Sequence, residues 1–385
     1  MNSIELFAGG GGLALGLANC GFHHKAVIEL NKDACKTIRA NNVFDFGKSL
    51  YEGSVVNFDY MSIYDKIDLV SGGPPCQPFS LGGKAKGHED SRDMFPQAVR
   101  AIREKRPKAF VFENVKGLMR KSFVDYFEYI ILQLQYPSVE TSTDESWEQH
   151  RERLEQYHTQ NGHTELEYKV IYQLVNAADY GVPQKRERIF FIGFRSDIDA
   201  NWTFPEPTHS EESLIWDKWV SGEYWRKHNL PMPVAEEKML KKVEKIRKKY
   251  GLFKPDNLPW VTVRDALSDL PDPNHETAKK YNQHIFKEGA KIYSGHTGSY
   301  IDEPSKALKA GAHGVPGGEN MIRFEDGSVR YFTIRESARI QTFPDNFYFE
   351  GSWGEIMRQL GNAVPAKLAE KVGLSVFNAL VKLDI

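Results

Sequence analysis

The sequence has few cysteines, little net charge and no long apolar run. No stretch approaches the length of a bilayer span, so no membrane partner is expected. The three cysteines, Cys20, Cys35 and Cys76, are spaced for neither a zinc site nor a disulfide framework. A reducing, cytoplasmic setting without a metal is therefore expected, and the N-terminus lacks a signal-peptide pattern. The net charge of −2 means that any nucleic-acid partner would need a local positive surface.

What is present is the composition of a globular protein. The chain has 385 residues, of which 41% are hydrophobic and 26% are charged, and this balance is typical of a soluble protein with a substantial core. The length fits one large domain or two domains of ordinary size.

A glycine-rich turn follows the first predicted strand. Residues 3–7 are predicted to form the strand, residues 8–12 (Ala-Gly-Gly-Gly-Gly) the turn, and residues from Leu13 onward a helix. Such a turn lets a ligand approach the backbone closely and lie on the N-terminus of the helix. The pattern indicates a nucleotide-like cofactor, although tight turns and dinucleotide-binding folds share it.

An acidic residue stands at the end of the second predicted strand. Residues 25–28 form this strand, and Glu29 follows them. Because a carboxylate at this place commonly bonds ribose hydroxyls, the pattern favours a cofactor role for Glu29 over a solvated surface charge. Residues 53–55 are expected to end a third strand, near an adenine site.

Cys76 and Glu113 follow two further predicted strands, residues 67–70 and 109–112. Since the carboxyl ends of parallel strands share one edge of a sheet, both side chains are expected to face the same crevice. The alternative for Cys76 is a buried, inert cysteine in a turn. The glycine-rich residues 82–92 are expected to form a mobile loop that could close over substrate, with a solvated linker as the alternative.

Four later segments carry further expectations. Residues 138–167 are polar and are interpreted as an exposed helical insertion without a chemical role. Residues 184–188 contain two arginines directly before the predicted strand 189–194, where merely solubilising charges are uncommon. The basic run of residues 238–249 fits either a helix that follows phosphates or a solvated helix face. Residues 366–380 form a helix whose apolar stripe is expected to pack on the first domain.

Taken in order, these segments resemble the DNA (cytosine-5)-methyltransferases of bacterial restriction–modification type. The matching stretches are residues 7–12, 74–77, 113–115, 184–188, 335–344 and 359–362. The resemblance implies an α/β fold with a doubly wound mixed sheet, the Rossmann-like fold of S-adenosylmethionine-dependent methyltransferases, and a second, smaller, loop-rich target-recognition domain. The implied bounds are a catalytic domain over 1–194 with 138–167 as an insertion, a recognition domain over 195–351, and a segment over 352–385 that returns to the catalytic domain.

The resemblance also implies a set of catalytic residues. Carbon 5 of cytosine is a poor nucleophile until a thiolate adds at carbon 6, and Cys76 matches the family's nucleophile. Glu113 would supply the proton at ring nitrogen 3, and Arg188 would bond the ring carbonyl. Arg186 would assist or hold the loop. Since a stacked base is out of reach, the target cytosine would be flipped out of the duplex.

The implied cofactor is S-adenosyl-L-methionine. The positions expected to bind it are Phe7, Ala8, Gly9, Gly10, Gly12, Glu29, Leu30, Ser54, Val55, Pro75, Asn362 and Ala363. Ser54 departs from the family pattern, because many relatives have an aspartate there that bonds the adenine amine.

The implied function is transfer of a methyl group to carbon 5 of cytosine in a specific double-stranded DNA sequence, by a monomer that protects host DNA. Sequence reading is expected from polar residues in loops near 290–320. A tRNA cytosine-5 methyltransferase is the main alternative, and the long segment between the motifs favours DNA. The second alternative is a catalytically inactive DNA-binding protein. The presence of Cys76, Glu113 and Arg188 together argues against it. The third alternative, a nicotinamide-dependent dehydrogenase, is suggested by the glycine-rich turn alone.

Overall fold

The computed structural model describes residues 1–41, 46–75, 93–160, 165–294, 296–310 and 320–382. The strands are β1 Asn2–Leu6, β2 His23–Glu29, β3 Leu50–Glu52, β4 Leu69–Gly72, β5 Ala109–Val115, β6 Tyr168–Asn176, β7 Gln184–Lys185, β8 Glu187–Arg195, β9 His209–Ser210, β10 Leu258–Pro259, β11 Ser299–Tyr300, β12 Ser305–Lys306, β13 Met321–Arg323 and β14 Val329–Tyr331. The helices are α1 Gly12–Asn19, α2 Lys32–Ala40, α3 Phe46–Ser49, α4 Phe95–Lys105, α5 Val124–Gln135, α6 Trp147–Thr159, α7 Glu211–Trp219, α8 Glu223–Lys227, α9 Glu237–Tyr250, α10 Val263–Leu267, α11 Ile334–Ile340, α12 Trp353–Asn362 and α13 Ala366–Val381. Among these described helices, none combines the length and the apolar character that crossing a bilayer requires.

The chain divides into two compact units. The first unit comprises Met1–Val175, Glu187–Phe204 and Phe347–Ile385. The second unit comprises Asn176–Arg186 and Pro205–Asn346. The first unit thus takes in both ends of the sequence, and the short segment Asn176–Arg186 belongs by its contacts to the second unit, although it lies between two strands of the first.

The first unit is built on a mixed sheet. Its seven described strands follow the order β3-β2-β1-β4-β5-β8-β6. The pairs from β3 to β5 are all parallel, whereas β8 runs antiparallel to β5. The order reverses between β1 and β4, and open α/β sheets form ligand crevices at such a switch point. The predicted doubly wound mixed sheet is therefore confirmed.

Strand β5 continues past its predicted end. The residues from Ala109 to Phe112 are fully buried, as expected for a strand covered on both faces. The sequence pattern ends this strand before Glu113, but Glu113 pairs with Phe190 of β8, and the ladder continues to Val115. Glu113 therefore belongs to the strand itself, because the antiparallel neighbour supplies pairing that local sequence does not reveal.

The C-terminal helix α13 packs against α1. Gly16 of α1 lies so close to α13 that a Cβ built on it would be 2.4 Å from the Cβ of Ala369. Side chains on both helices are buried, including Leu17 on α1 and Val372 on α13. The expected packing of the apolar stripe on the first part of the chain is therefore present.

The polar segment 138–167 is less exposed than its composition indicates. Helix α6 begins in a capping box formed by Ser146 and Gln149. His150 and Leu154 are buried on one side of α6, and the His150 Nδ1 atom lies 2.8 Å from the Tyr129 hydroxyl. The segment thus has an inner face of few residues, which an apolar count over the whole stretch overlooks.

The second unit consists of short strands and helices joined by irregular segments. Its described strands have two or three residues each and include the three-stranded sheet β11-β13-β14. One apolar cluster joins Leu214, Tyr224, Trp225 and Trp260. Within the motif at 335–344, Arg335 of α11 is fully buried and donates hydrogen bonds to backbone carbonyl groups.

Replacing Gly16 with alanine is expected to destabilise the first unit. The added Cβ would lie 2.5 Å from the carbonyl oxygen of Ala366, so helix α13 would have to shift. Overpacking of this kind costs about 1–3 kcal/mol, which outweighs the gain in helix propensity of about 1 kcal/mol. Equilibrium urea unfolding measures the difference. Gly354→Ala in α12 is the matched control, because a Cβ there meets no atom within 4 Å. An equal loss in both variants would contradict the packing explanation.

Candidate active site

A cavity of about 1030 Å³ lies in the first unit at the carboxyl ends of the parallel strands. The segments that follow β1, β2, β3 and β4 form much of its wall, and the ends of β5, β8 and α12 complete it. The lining residues are Glu5, Phe7, Ala8, Gly9, Gly12, Leu13, Ile28, Glu29, Leu30, Asn31, Lys32, Asp33, Ala34, Gly53, Ser54, Val55, Gly73, Pro74, Pro75, Met94, Glu113, Asn114, Val115, Arg188, Arg358, Gln359, Asn362, Ala363 and Val364.

The glycine-rich turn presents backbone to this cavity. Gly9 has φ +55° and a Cβ on it would meet no atom within 4 Å, so the turn leaves open space beside its backbone. Phe7 also has a positive φ, of 54°, although it carries a side chain. Gly10 packs against Gln359 of α12. It is not among the described residues that line the cavity. The turn thus combines an open cradle with a tight contact to the C-terminal segment.

The Glu29 carboxylate is held by backbone groups on both sides. Its Oε2 atom accepts a hydrogen bond from the Gly9 N–H at 2.7 Å, and its Oε1 atom accepts one from the Asn31 N–H at 2.7 Å. Asn31 is the N-cap of α2. The carboxylate is therefore fixed at the end of β2, where lone pairs remain for a ligand hydroxyl.

Ser54 lies beside the cavity in the turn after β3. Its Oγ atom accepts a hydrogen bond from the Val56 N–H at 3.2 Å and so caps the short turn over Val55–Asn57. Val55 is buried and lines the same wall. The hydroxyl therefore shapes this turn, and Val55 adds an apolar surface next to it.

Glu113 and Arg188 form an ion pair in the cavity wall. The Arg188 Nε atom lies 2.7 Å from Glu113 Oε1, and both side chains are largely buried. Burial lowers the pKa of Arg188, whereas the Glu113 carboxylate acts in the opposite direction. A Cβ built on Gly73 would lie 3.2 Å from Glu113 Oε2, so the chain after β4 passes close to this carboxylate.

Described residues before and after the segment 76–92 are also tied to the cavity. Asn114 Nδ2 donates to the Pro74 carbonyl at 2.9 Å. The Met94 N–H donates to the Pro75 carbonyl at 3.1 Å, so the chain returns beside the point where it left. Cys76 itself lies outside the described residues, as does the expected closing loop at 82–92.

Arg186 is found elsewhere, in the second unit. It is 1% exposed and its Nη1 atom donates to the Leu308 carbonyl at 3.1 Å. It is not among the described residues that line the cavity. This contact tests neither of its two expected roles.

Glu5 is a cavity residue that sequence reasoning did not select. It lies within β1, is 1% exposed and is hydrogen-bonded to the Ser71 hydroxyl of β4. Burial raises the pKa of Glu5 to about 8, and the Ser71 hydrogen bond opposes this only in part. The available signal was a carboxyl group between Ile4 and Leu6 in an otherwise apolar strand.

The parallel strands with the antiparallel β8, the glycine-rich turn and the fixed Glu29 at the end of β2 fit the Rossmann-like fold of S-adenosylmethionine-dependent methyltransferases. Comparison with known proteins identifies the family. The profile of the C-5 cytosine-specific DNA methylase family matches residues 1–154 and 145–378. The chain therefore belongs to this family and is a DNA cytosine-5 methyltransferase.

Individual relatives agree along the whole chain. The type II methyltransferase M.PspPI of Psychrobacter sp. is 34% identical over 98% of this chain and 79% of its own length. The type II methyltransferase M.NgoMIV of Neisseria gonorrhoeae is 31% identical over 99% of this chain and 98% of its own length. These relatives give the tRNA alternative less support.

Solved structures share the fold. The crystal structure of a protein described as a DNA modification methyltransferase, encoded in an E. coli prophage, has a TM-score of 0.61 at 21% identity and covers 99% of both chains. The S. pombe Dnmt2 methyltransferase has a TM-score of 0.56 at 18% identity, covering 100% of both chains.

Enzymes of this family use S-adenosyl-L-methionine as methyl donor, and the cavity fits it. The open cradle at Gly9 admits a ligand against the backbone, and Glu29 offers a fixed carboxylate for ribose hydroxyls. Among the described residues, every predicted cofactor position except Gly10 lines the cavity. The described residues contain no group of three metal-ligating side chains.

Replacing Glu29 with glutamine should weaken binding of S-adenosyl-L-methionine by at least about tenfold. A hydrogen bond to a charged group contributes about 1.5–3 kcal/mol, and the amide retains only one acceptor oxygen. Calorimetric titration measures the dissociation constant. Glu52→Gln is the matched control, because Glu52 pairs with Glu29 in register but binds Arg39 at 2.7 Å. Equal losses in the two variants would show that Glu29 has no special role.

The stability of the first unit should carry a pH-dependent component from Glu5. The folded chain retains a proton that the unfolded chain loses above pH 4.5. The stabilisation is therefore complete below pH 4.5 and is lost as pH rises to about 8, at up to about 1.4 kcal/mol per pH unit. Glu5→Gln should remove this slope in urea unfolding, whereas the exposed Glu148→Gln should keep it. An unchanged profile in Glu5→Gln would refute a protonated Glu5.

Proposed function

We propose that this chain methylates carbon 5 of cytosine in one specific double-stranded DNA sequence, as the modification enzyme of a restriction–modification system. The observation that carries the proposal is the buried pair of Glu113 and Arg188 in a wall that also contains Pro75, the residue before Cys76. The type II methyltransferases named above support the restriction–modification role.

Cys76 is the proposed nucleophile. Its thiolate adds to carbon 6 of the flipped cytosine, and the electron pair moves through the ring so that carbon 5 becomes nucleophilic. When bound, S-adenosyl-L-methionine supplies an electrophilic methyl group. Once carbon 5 is methylated, water or a base removes its proton, the Cys76 sulfur leaves as a thiolate, nitrogen 3 returns its proton to Glu113, and the ring is restored.

Glu113 and Arg188 act on the charge that addition creates. Glu113, a carboxylate in its ion pair with Arg188, takes up a proton from solvent as the cytosine enters, delivers it to ring nitrogen 3 and becomes a carboxylate again. The Arg188 guanidinium, 2.7 Å away, stabilises that carboxylate and therefore assists the transfer. Arg188 also bonds the ring carbonyl. Gly73 leaves room beside this pair, because a Cβ at this position would lie 3.2 Å from Glu113 Oε2.

The cofactor role of the remaining cavity residues follows their contacts. Glu29 would bond the ribose and Val55 would contact the adenine ring, while Ser54 shapes that turn. Phe7, Gly9 and Gly12 line the cradle, and further contacts come from Ala8, Leu30, Pro75, Asn362 and Ala363. Gly10 contributes indirectly through its packing against Gln359.

Arg186 is a proposed positioning residue. Its hydrogen bond to Leu308 holds the segment near residue 308 within the second unit. We assign catalysis to residues 1–194, DNA sequence reading to 195–351, and a return to the catalytic domain to 352–385; these functional bounds differ from those of the two compact units. Base-reading residues are proposed near 290–320, of which 295 and 311–319 lie outside the described residues. The enzyme is proposed to act as a monomer in the cytoplasm, where bacterial DNA is found.

Trapping on 5-fluorocytosine tests the mechanism. Bisulfite sequencing of DNA from cells that express the chain first identifies the methylated site. A duplex with 5-fluorocytosine at that site should then form a denaturant-stable adduct with the enzyme and methyl donor, because fluorine cannot leave as the proton does. Cys76→Ala should bind this duplex without forming the adduct.

Glu113→Gln is the companion variant. It retains the thiol but cannot supply the proton, so methyl transfer should slow by about 100-fold or more. Adduct formation by Cys76→Ala would overturn the assignment of the nucleophile. Methyl incorporation into tRNA rather than DNA would overturn the proposed substrate.

A further inference from the structure

Helix α9 of the second unit carries a one-sided row of lysines. Six of its fourteen residues are lysine. At 3.6 residues per turn, all six fall within about a third of the helix circumference. Val243 and Ile246 are buried on another side, where they pack with Ile215 and Trp216 of α7. The helix is therefore anchored by its apolar side and exposes its lysine side.

These lysines differ in their partners. Lys241, Lys242 and Lys249 form salt bridges with Glu237, Glu211 and Glu212, at 2.6, 3.0 and 2.9 Å. Lys238, Lys245 and Lys248 are exposed, and within the described parts of the chain no salt bridge involves them. We call these three the outward lysines.

A solvated helix face does not account for the outward lysines. The helix dipole favours cations in the last turn, which suits Lys248, but Lys238 stands in the first turn, where a cation is disfavoured. Lysines three and four residues apart also repel one another. The net charge of the whole chain is −2, so a row of lysines is not simply the consequence of a basic protein. A polyanion lying against the row would relieve the repulsion among these lysines.

We propose that the outward lysines bind the phosphate backbone of duplex DNA without regard to sequence. Lys238 and Lys248 are separated by about 15 Å along the helix, and a duplex presents several phosphates over that length. Such contacts position a protein on DNA but carry no base information. The inference rests on the proposed function, in that duplex DNA is the substrate, and it adds a separate anchoring surface.

The test is the salt dependence of binding to a fluorescein-labelled duplex that lacks the methylated sequence. A plot of log affinity against log salt concentration has a negative slope, and each lost phosphate contact reduces the magnitude of that slope by about one. The triple variant Lys238→Gln, Lys245→Gln, Lys248→Gln should therefore lose about three from the slope between about 50 and 200 mM KCl. Its affinity at the lower salt concentration should fall by at least about tenfold.

The matched control neutralises three exposed lysines of the first unit, Lys66, Lys169 and Lys382. It has the same change in net charge and should keep the wild-type slope. Replacing the outward lysines with arginine should also keep the slope, since the charge is retained. If the triple variant fails to fold by circular dichroism, Lys245→Gln alone should still lower the slope by about one.

The outcomes separate this inference from the proposed function. A wild-type enzyme that methylates DNA, together with an unchanged slope in the outward-lysine variants, overturns the inference and leaves the function intact. The same holds if the control loses as much slope as the triple variant, because net charge alone would then explain the effect. A wild-type chain that neither binds nor methylates DNA overturns both.

Discussion

The antiparallel direction of β8 is the constraint on which the ion pair of Glu113 and Arg188 depends. Arg188 lies near the start of β8, and Glu113 lies near the end of β5. Because the two strands run in opposite directions, Val115 pairs with Arg188. The side chains of Glu113 and Arg188 therefore reach the same edge of the sheet. A parallel β8 would carry Arg188 to the far edge. Arg188, near the beginning of the antiparallel strand β8, therefore lies at the sheet edge where β1, β2 and β4 end.

Burial makes this pair sensitive to its surroundings. A buried cation and carboxylate lose hydration, and each is tolerated because the other is within hydrogen-bonding distance. The backbone at Gly73 closes over the carboxylate, and Asn114 ties Pro74 to the same strand. The chain leading to Cys76 is therefore tied to the strand that carries Glu113. These contacts hold the described chain up to Pro75, the residue before Cys76.

Sequence reasoning recovered what local pattern encodes. Glu29 and Glu113 were predicted from their positions at strand ends, and the glycine turn from composition. The register between Val115 and Arg188 could not be predicted, because strand direction is set by the whole sheet. Gly9 and Gly10 look equivalent in the sequence, yet one faces the cavity and the other Gln359. Arg186 and Arg188 are two residues apart and belong by their contacts to different units.

The cavity is also a product of both ends of the chain. Thr37 donates a hydrogen bond to Gln359 at 2.8 Å, and Asn41 donates one to the Tyr348 carbonyl at 2.6 Å, so α2 holds the returning segment. Asn362 then reaches the wall that begins at Phe7. Since this wall combines distant strand ends with a segment more than 300 residues away, it forms only after the sheet and the C-terminal helices have packed together. A ligand that binds only the assembled wall therefore stabilises that packing by mass action, and cofactor binding and folding of the first unit are thermodynamically linked.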